Sequence, residues 1–386
     1  LDTSVAIKWL SERYDAEIVT LTVDLGGAEL ETARKRALAI GAIKAVIKDA
    51  RQEFVEEYVW PSLRAGAMYE GIYPLATALG RPLIAKLLAE VAVEEEATGV
   101  AHGCTGKGND QIRFDVSIAA LAPRLQVFAP AREWNMTRDQ EISYARERGI
   151  ELDLNRRSPY SVDENLWGRS IEAGDLEDPW VEPPEEAYSL TVPIDATPDA
   201  PRYMELGFDQ GIPVSVDGEI LSPQDLINSV QDIAGKYGIG RIDHVENRLV
   251  GIKSREVYEA PAAVVLHVAH RALETICLGK DQVRYKDRTA QEYADLVYNG
   301  LWFTAHRRDL DAYVMSTQRY VSGKVRLKLH KGSCTVVGRT SESSLYVHGL
   351  ATYDVGDRYD HNAAKGFSYI FGLQAETQAR IQKDKE

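Results

Sequence analysis

Two periods of apolar and polar positions alternate along the first 150 residues. "EIVTLTVDLGG" (17–27), "KAVIKDA" (44–50), "GVAHG" (99–103) and "LQVFAP" (125–130) are short β-type apolar runs. Helical patterns lie between and after them. These are "AELETARKRALAIG" (28–41), closed by Gly41; "RPLIAKLLAEVAVEEEA" (81–97), with Leu87, Leu88 and Val91 on one face; and "RDQEISYARERG" (138–149), closed by Gly149. Strands alternating with helices predict a parallel sheet covered by helices, which binds ligands on the loops beyond the carboxyl ends of its strands. The chain opens with Asp2, Thr3 and Ser4, good N-capping residues, directly before the helical "VAIKWLSERY". A doubly wound domain is expected to place a strand before such a helix. The expectation is therefore that this strand and its turn are missing from the chain as given.

From about residue 151 the pattern changes. "EDPWVEPPEEAY" (177–188), acidic and proline-rich, reads as an extended surface connection. "SPQDLINSVQDIAGKYGIG" (222–240) predicts a helix capped by Ser222, with Pro223 in its first turn and Gly235 near its end. "GKVRLKLHKGSCTVVGR" (323–339) alternates Val325, Leu327 and Leu329 ahead of a Lys331-Gly332 turn, the pattern of a hairpin. The tail "AETQARIQKDKE" (375–386) is a polar helix that the chain need not bury at home, suited to docking on another subunit.

Composition narrows the partners. With 386 residues the chain can bury a large core in two domains. Lys plus Arg number 45 against 59 Asp plus Glu, a net charge of −14, which argues against a nonspecific grip on nucleic acid or an anionic membrane. Cys104, Cys277 and Cys334 are far apart and form no C-x-x-C pair, which disfavours a disulfide framework or a zinc site and suits a reduced, cytoplasmic protein. His267 and His270 lack a nearby third ligand, so no metal site is expected there. No apolar run approaches the roughly 18 residues of a membrane span, and the start does not read as a cleavable signal peptide.

The chemistry concentrates in "AHGCTGKGND" (101–110), where Gly103, Gly106 and Gly108 surround Lys107. A Walker loop needs a glycine five positions before its Gly-Lys pair and a Ser or Thr after the lysine. Here Gly103 stands three before Gly106, and Gly108 follows Lys107, so that reading fails. What remains is a permissive backbone able to approach a ligand, followed by the amide of Asn109, the carboxylate of Asp110 and the guanidinium of Arg113. That set suits a polar, zwitterionic small molecule. His102 beside this loop reads as a structural histidine at least as readily as a site residue, and Lys107 as either solvated or in touch with a ligand or phosphate.

The segments "LDTS", "RPLIAK", "AHGCTGKGNDQIRF", "SPYSVDENLWGRS", "DPW", "GIGRIDHVENRLVGIKSREVYEAP" and "ADLVYNGLW", in this order, closely resemble the argininosuccinate synthase family, one of the N-type ATP pyrophosphatases. The resemblance implies an α/β nucleotide-binding domain over 1–155, an α+β synthetase domain over 156–365 and a C-terminal oligomerisation helix over 366–386. It also implies a cytoplasmic homotetramer that condenses citrulline with aspartate, using ATP with Mg²⁺ and releasing AMP and pyrophosphate. The family's pyrophosphate loop reads S-G-G-L-D-T-S, of which Leu1–Ser4 stand here. The resemblance gives Asp2, Thr3, Ser4, the Val23 backbone, Arg81 and Gly103 to ATP. It gives Thr105, Asn109 and Asp110 to aspartate, and Tyr73, Asn109, Arg113, Ser161, Ser170, Glu246 and Tyr258 to citrulline. An amino acid with a neutral ureido tail would use hydroxyls for its carboxylate and ureido ends and a carboxylate for its ammonium. Two positions depart from the family pattern: a serine often found in the family is Ala78 here, and the loop after "VDLGG" is shorter.

Two other readings stand beside this one. Another pyrophosphate-loop adenylating enzyme would favour a basic tRNA-binding surface, a reactive cysteine pair or an ammonia-supplying domain, and the sequence offers none of these. A non-catalytic ligand-binding scaffold would follow from a lost phosphate loop. No general base can be named from the residues.

Overall fold

The computed structural model describes residues 2–27, 30–134, 136–150 and 159–382, leaving aside the side chains of Asp2 and Thr3. They form two compact units, Leu1–Ser343 and Ser344–Glu386.

The first unit begins with helix α1 (Asp2–Tyr14), strand β1 (Val19–Asp24), α2 (Leu30–Ile40) and β2 (Lys44–Asp49). Next come α3 (Ala76–Glu94), β3 (Gly99–Ala101), α4 (Asp110–Leu121), β4 (Gln126–Phe128) and α5 (Arg138–Glu147). Strands β1 and β2 pair in parallel, with Val19 opposite Lys44, and β3 pairs in parallel with β4, Gly99 opposite Gln126. Each pair needs a crossover, which α2 and α4 provide. The expected single parallel sheet is thus found as two parallel pairs among the described residues. Helix α3 packs against β1 and β3, so both pairs share one supporting helix.

Several boundaries differ from the sequence reading. Helix α1 takes in Thr3 and Ser4, which therefore stand in its first turn and not before it. Helix α3 starts at Ala76, five residues before Arg81, and carries Pro82 in its interior. A proline there removes one helical hydrogen bond, but Leu83, Ala85 and Leu87 on the same helix are buried, and that packing outweighs local propensity. The predicted α3 face is inward: Leu87 and Val91 are buried and Leu88 packs on the small cluster around Phe114 and Ile118. Helix α5 is closed at its start by a capping box, in which Thr137 accepts from the Gln140 amide and Gln140 accepts from the Thr137 amide.

Beyond residue 159 the strands are β5 (Ser161–Asn165), β6 (Gly168–Glu172), β7 (Arg202–Asp209), β8 (Ile212–Val216) and β9 (Glu219–Ile220). They are followed by β10 (Arg241–Asn247), β11 (Lys253–Glu259), β12 (Gly323–His330) and β13 (Ser333–Thr340). Two antiparallel sheets result, in the orders β10-β11-β6-β5 and β13-β12-β7-β8-β9. Helix α6 (Pro223–Lys236) is capped as expected, Ser222 accepting from the Asp225 amide at 3.2 Å. Helices α7 (Pro261–Cys277), α8 (Lys280–Tyr298) and α9 (Ala305–Gln318) complete this half. The hairpin turn at Lys331-Gly332 has φ of 47° and 76°, the left-handed pair that matches strand twist, and Val325, Leu327 and Leu329 point into the core. Residues 177–188 run as a connection with one short 3₁₀ turn at Glu185–Ala187, and Trp180 on it is 94% exposed.

Helix α3 also packs against β5, β6 and α8, so one continuous core joins the parallel and antiparallel halves of the first unit. The second unit carries helix α10 (His361–Gln382), 22 residues with none buried. The tail read as a polar helix is the end of this longer helix, whose earlier turns expose Phe367, Tyr369, Ile370 and Phe371; residues 383–386 lie outside the described residues.

Gly240, which leads into β10, has φ of +109°, and an added Cβ would lie 2.5 Å from the Pro261 backbone. Gly240→Ala should destabilise the protein by about 2–5 kcal/mol, the left-handed penalty plus overpacking. Gly41→Ala, where φ is +119° and nothing lies within 4 Å, should cost only the backbone share. Urea midpoints of the two variants check this, and equal shifts would contradict it.

Candidate active site

The four-stranded sheet β10-β11-β6-β5 supplies one wall of the site. Directly opposed residues of antiparallel strands share a face, and the period along each strand is two. Asp163 lies opposite Ser170, Ser170 opposite Tyr258, Ser161 opposite Glu172, and Glu246 opposite Ser254. Ser161, Asp163, Ser170, Glu172, Glu246, Ser254, Glu256 and Tyr258 therefore form one polar face. The opposite face buries Ile171 and Val257 against Leu176. Helix α3 and the loop before α4 meet the polar face.

Glu246 is 3% exposed, so its charge must be met inside the protein. The Tyr258 hydroxyl donates to one carboxylate oxygen at 2.6 Å and the Tyr298 hydroxyl to the other at 2.5 Å. Burial, reinforced by the Glu246 charge, raises the pKa of both phenols, so both stay protonated and able to donate. The Asn109 side-chain amide donates to the Tyr298 hydroxyl at 2.7 Å, and its carbonyl oxygen accepts from the Leu249 amide at 2.9 Å. Tyr73 stacks on Tyr258 with centroids 4.1 Å apart and shares a hydrogen bond with the Thr77 hydroxyl at 2.8 Å. Its phenol is pushed up to about 12 by burial. Tyr69 stacks on Tyr298 in the same way, at 3.5 Å. Ala78 is buried in α3, and the neighbouring hydroxyl on this helix is that of Thr77.

A second cluster lies at the start of α4. Arg81 reaches Asp110 at 2.8 Å and also pairs with Asp163, while Arg113 reaches the other Asp110 oxygen at 2.9 Å. Burial alone would raise the Asp110 pKa, but the two guanidiniums outweigh it and hold the carboxyl well below the usual carboxylate range. Arg113 is 4% exposed; its Nε donates to the Tyr298 carbonyl at 2.9 Å, and it lies over the Tyr298 ring. Tyr298 thus ties the two clusters together.

These contacts bring Tyr73, Arg81, Asn109, Asp110, Arg113, Ser170, Glu246 and Tyr258 into one region. Thr105 and Lys107 are exposed on the loop, and the Lys107 ammonium makes no ion pair among the described residues. Gly103 lies two residues past the end of β3. His102 is anchored at 2.9 Å to Asp115, which Arg132 also holds. Ser161 is exposed at the start of β5, Val23 lies in β1 opposite Lys48, and Ser4 is in the first turn of α1. The side chains of Asp2 and Thr3 lie outside the described residues. His267 and His270 lie on α7, His267 half-buried and His270 buried and paired with Gln318 at 2.8 Å. Among the described residues no group of His, Cys, Asp or Glu is arranged to hold a metal ion.

Sequence reasoning missed Asp163, Tyr69 and Tyr298. Asp163 could have been found from strand alternation, since it shares a face with Ser161 two positions before it. Tyr298 and Asn109 are 189 positions apart, and no local pattern links them.

The first unit thus joins a half of parallel βαβ units, of the nucleotide-binding type, to an antiparallel half, with charged side chains where they meet. Two family profiles cover the chain: "Arginosuccinate synthase N-terminal HUP domain" matches residues 1–151 and "Arginosuccinate synthase C-terminal domain" matches 160–378. Proteins named "Argininosuccinate synthase" are similar along almost the full length. One from Dehalococcoides mccartyi is 58% identical over 99% of this chain and 94% of its own, and one from Symbiobacterium thermophilum 56% over 100% and 96%. A third, from Pelodictyon phaeoclathratiforme, is 52% identical over 100% and 97%. The chain belongs to the argininosuccinate synthase family.

Tyr298→Phe would leave both Glu246 and Asn109 short of a partner, at a cost of about 1–3 kcal/mol or more. Tyr69→Phe removes only a bond to the Asn247 carbonyl, on a partly exposed hydroxyl, and should cost about 1 kcal/mol. Denaturant unfolding of both variants should show the larger loss for Tyr298→Phe.

Proposed function

We propose that this chain condenses citrulline with aspartate at the expense of ATP, through a citrullyl-adenylate, releasing AMP and pyrophosphate. The observation that carries the reading is the identity of 52–58% to synthases of that name over essentially the whole chain. The chain is accordingly a ligase that forms a carbon–nitrogen bond. The ureido carbon of citrulline is a poor electrophile and its oxygen a poor leaving group. Attack of that oxygen on the α-phosphate expels pyrophosphate and makes a good leaving group of it. The aspartate amine then displaces AMP from the activated carbon.

The protein's part is to position three reactants and to balance charge. Glu246 has a lone pair left on each oxygen after meeting Tyr258 and Tyr298, and in this reading it takes the citrulline ammonium. Tyr73, Tyr258, Ser161 and Ser170 supply hydroxyl and ring surface around the same substrate, with Arg113 and Asn109 at its edge. Asn109 keeps one amide hydrogen and one carbonyl lone pair beyond its present bonds, enough to reach aspartate as well. Asp110, held ionised by Arg81 and Arg113, orients the aspartate ammonium beside Thr105. Arg81, Gly103, the Val23 backbone and the α1 start with Asp2, Thr3 and Ser4 serve ATP, whose phosphates bring Mg²⁺ with them. Free backbone N–H groups at a helix start suit that anion.

In the same reading the protein is a cytoplasmic homotetramer. Three unpaired cysteines and the lack of a described helix long and apolar enough to cross a membrane support the first part. The exposed Phe367, Tyr369, Ile370 and Phe371 on α10 support an intersubunit role for that helix.

Positional isotope exchange within ATP, measured with citrulline but without aspartate, reports the adenylation step alone. Asp110→Asn should retain that exchange, while efficiency toward aspartate falls by about 10- to 150-fold, the loss of one charge-assisted hydrogen bond. Loss of both together in a folded variant would move Asp110 to citrulline or the nucleotide.

A further inference from the structure

Gly106 faces open space and Gly108 meets only Thr105 of the same loop, so the tip of the loop 103–109 has little packing to fix it. Its anchors come from elsewhere. On its own side, Gln111 donates to the Gly106 carbonyl at 2.6 Å. From the other half of the unit comes the turn between β10 and β11. This turn is closed by the Arg248 amide donating to Ile252 at 2.8 Å and the Gly251 amide donating to Arg248 at 3.0 Å, with Gly251 at φ +84°. The Leu249 amide holds Asn109, and Arg248 Nη1 points at the Lys107 carbonyl at 3.5 Å.

The Arg248 side chain is itself pinned. Its Nη2 lies between Glu172, at 2.5 Å, and Glu256, two carboxylates of the polar face of the sheet. Glu256 also accepts from the Ser254 hydroxyl at 3.2 Å. Without the guanidinium these two carboxylates would repel one another, so Arg248 has one settled place, and from it the second nitrogen faces the loop. A lysine ammonium has no rigid fork and cannot hold two carboxylates and aim a donor at a carbonyl in fixed geometry.

We propose that Arg248 is a positioning residue for the second amino-acid substrate: anchored by Glu172 and Glu256, it holds the 103–109 loop, through Lys107 and the turn that grips Asn109, in the shape that receives aspartate. The inference rests on the reading that Thr105, Asn109 and Asp110 bind aspartate.

The test uses the full chain with Arg248→Lys and Arg248→Ala, and Thr105→Val as the check on the underlying reading. Arg248→Lys should raise the aspartate KM about tenfold, one hydrogen bond's worth, with kcat at saturating aspartate and the citrulline-dependent isotope exchange within about twofold of the parent. Arg248→Ala should raise it further. Hydrogen–deuterium exchange should quicken in the peptide 103–112 and stay unchanged in β6 and β10. If Thr105→Val raises the aspartate KM while both Arg248 variants leave KM and loop exchange at parental values, Arg248 positions nothing. Proportional loss of isotope exchange and net synthesis in Arg248→Lys would equally overturn the proposal, as the mark of a merely structural role. If Thr105→Val leaves the aspartate KM unchanged, the assignment of the loop fails, and the proposal fails with it even where loop exchange responds to Arg248.

Discussion

Two carboxylates where the halves of the first unit meet, Glu246 buried and Asp110 partly so, constrain everything around them. Neither Glu246 nor Asp110 is left without a counterpart, because an ion removed from water and left unpaired costs several kcal/mol. Glu246 is met by tyrosines from β11 and α8, and the α8 tyrosine is in turn held by Asn109 from the loop before α4. Asp110 is met by arginines from α3 and α4. Five helices and strands from both halves, β10, β11, α3, α4 and α8, therefore share the same few polar atoms. A change to one partner is felt in the other half, because the remaining group is orphaned.

Helix α3 makes this arrangement possible. It is the element that touches the parallel pairs, the polar sheet and α8 at once, and Arg81 projects from it to bridge Asp110 and Asp163. The antiparallel sheet contributes by sorting its residues: Ile171 and Val257 face the apolar side, while Ser170, Tyr258 and Glu256 face α3 and the glycine loop. One geometric rule, the two-residue period, thus gathers hydroxyls and carboxylates from four strands onto one surface. Reactants held between that surface and a loop of fixed shape lose the freedom that a bimolecular reaction in water must restrict.

Part of this was legible in the residues. The strand–helix alternation to residue 150, the Ser222 cap, the Gly149 helix end and the Lys331-Gly332 turn all stand as read. The residues singled out in the motifs also come together, since Tyr73, Arg81, Asp110, Arg113, Glu246 and Tyr258 converge. The sequence reading erred where a local rule met packing. The helix read from Arg81 onward starts at Ala76 and runs through Pro82, because buried residues on both sides hold it. The tail read as polar over its last residues proved to be the end of a helix whose earlier turns are apolar.

By itself the sequence determined features that depend on neighbours within about four positions: helical and strand periods, caps and turn residues. Only the tertiary structure decided that the parallel strands fall into two pairs, that Asp163 completes the arginine cluster, and that Tyr298 links Asn109 to Glu246. A cap or a period is satisfied by atoms a few residues away, so it is written locally. The partner of a buried charge is whichever group the folded chain brings to within about 3 Å, and separations of 52 and 189 positions leave no trace in any short stretch.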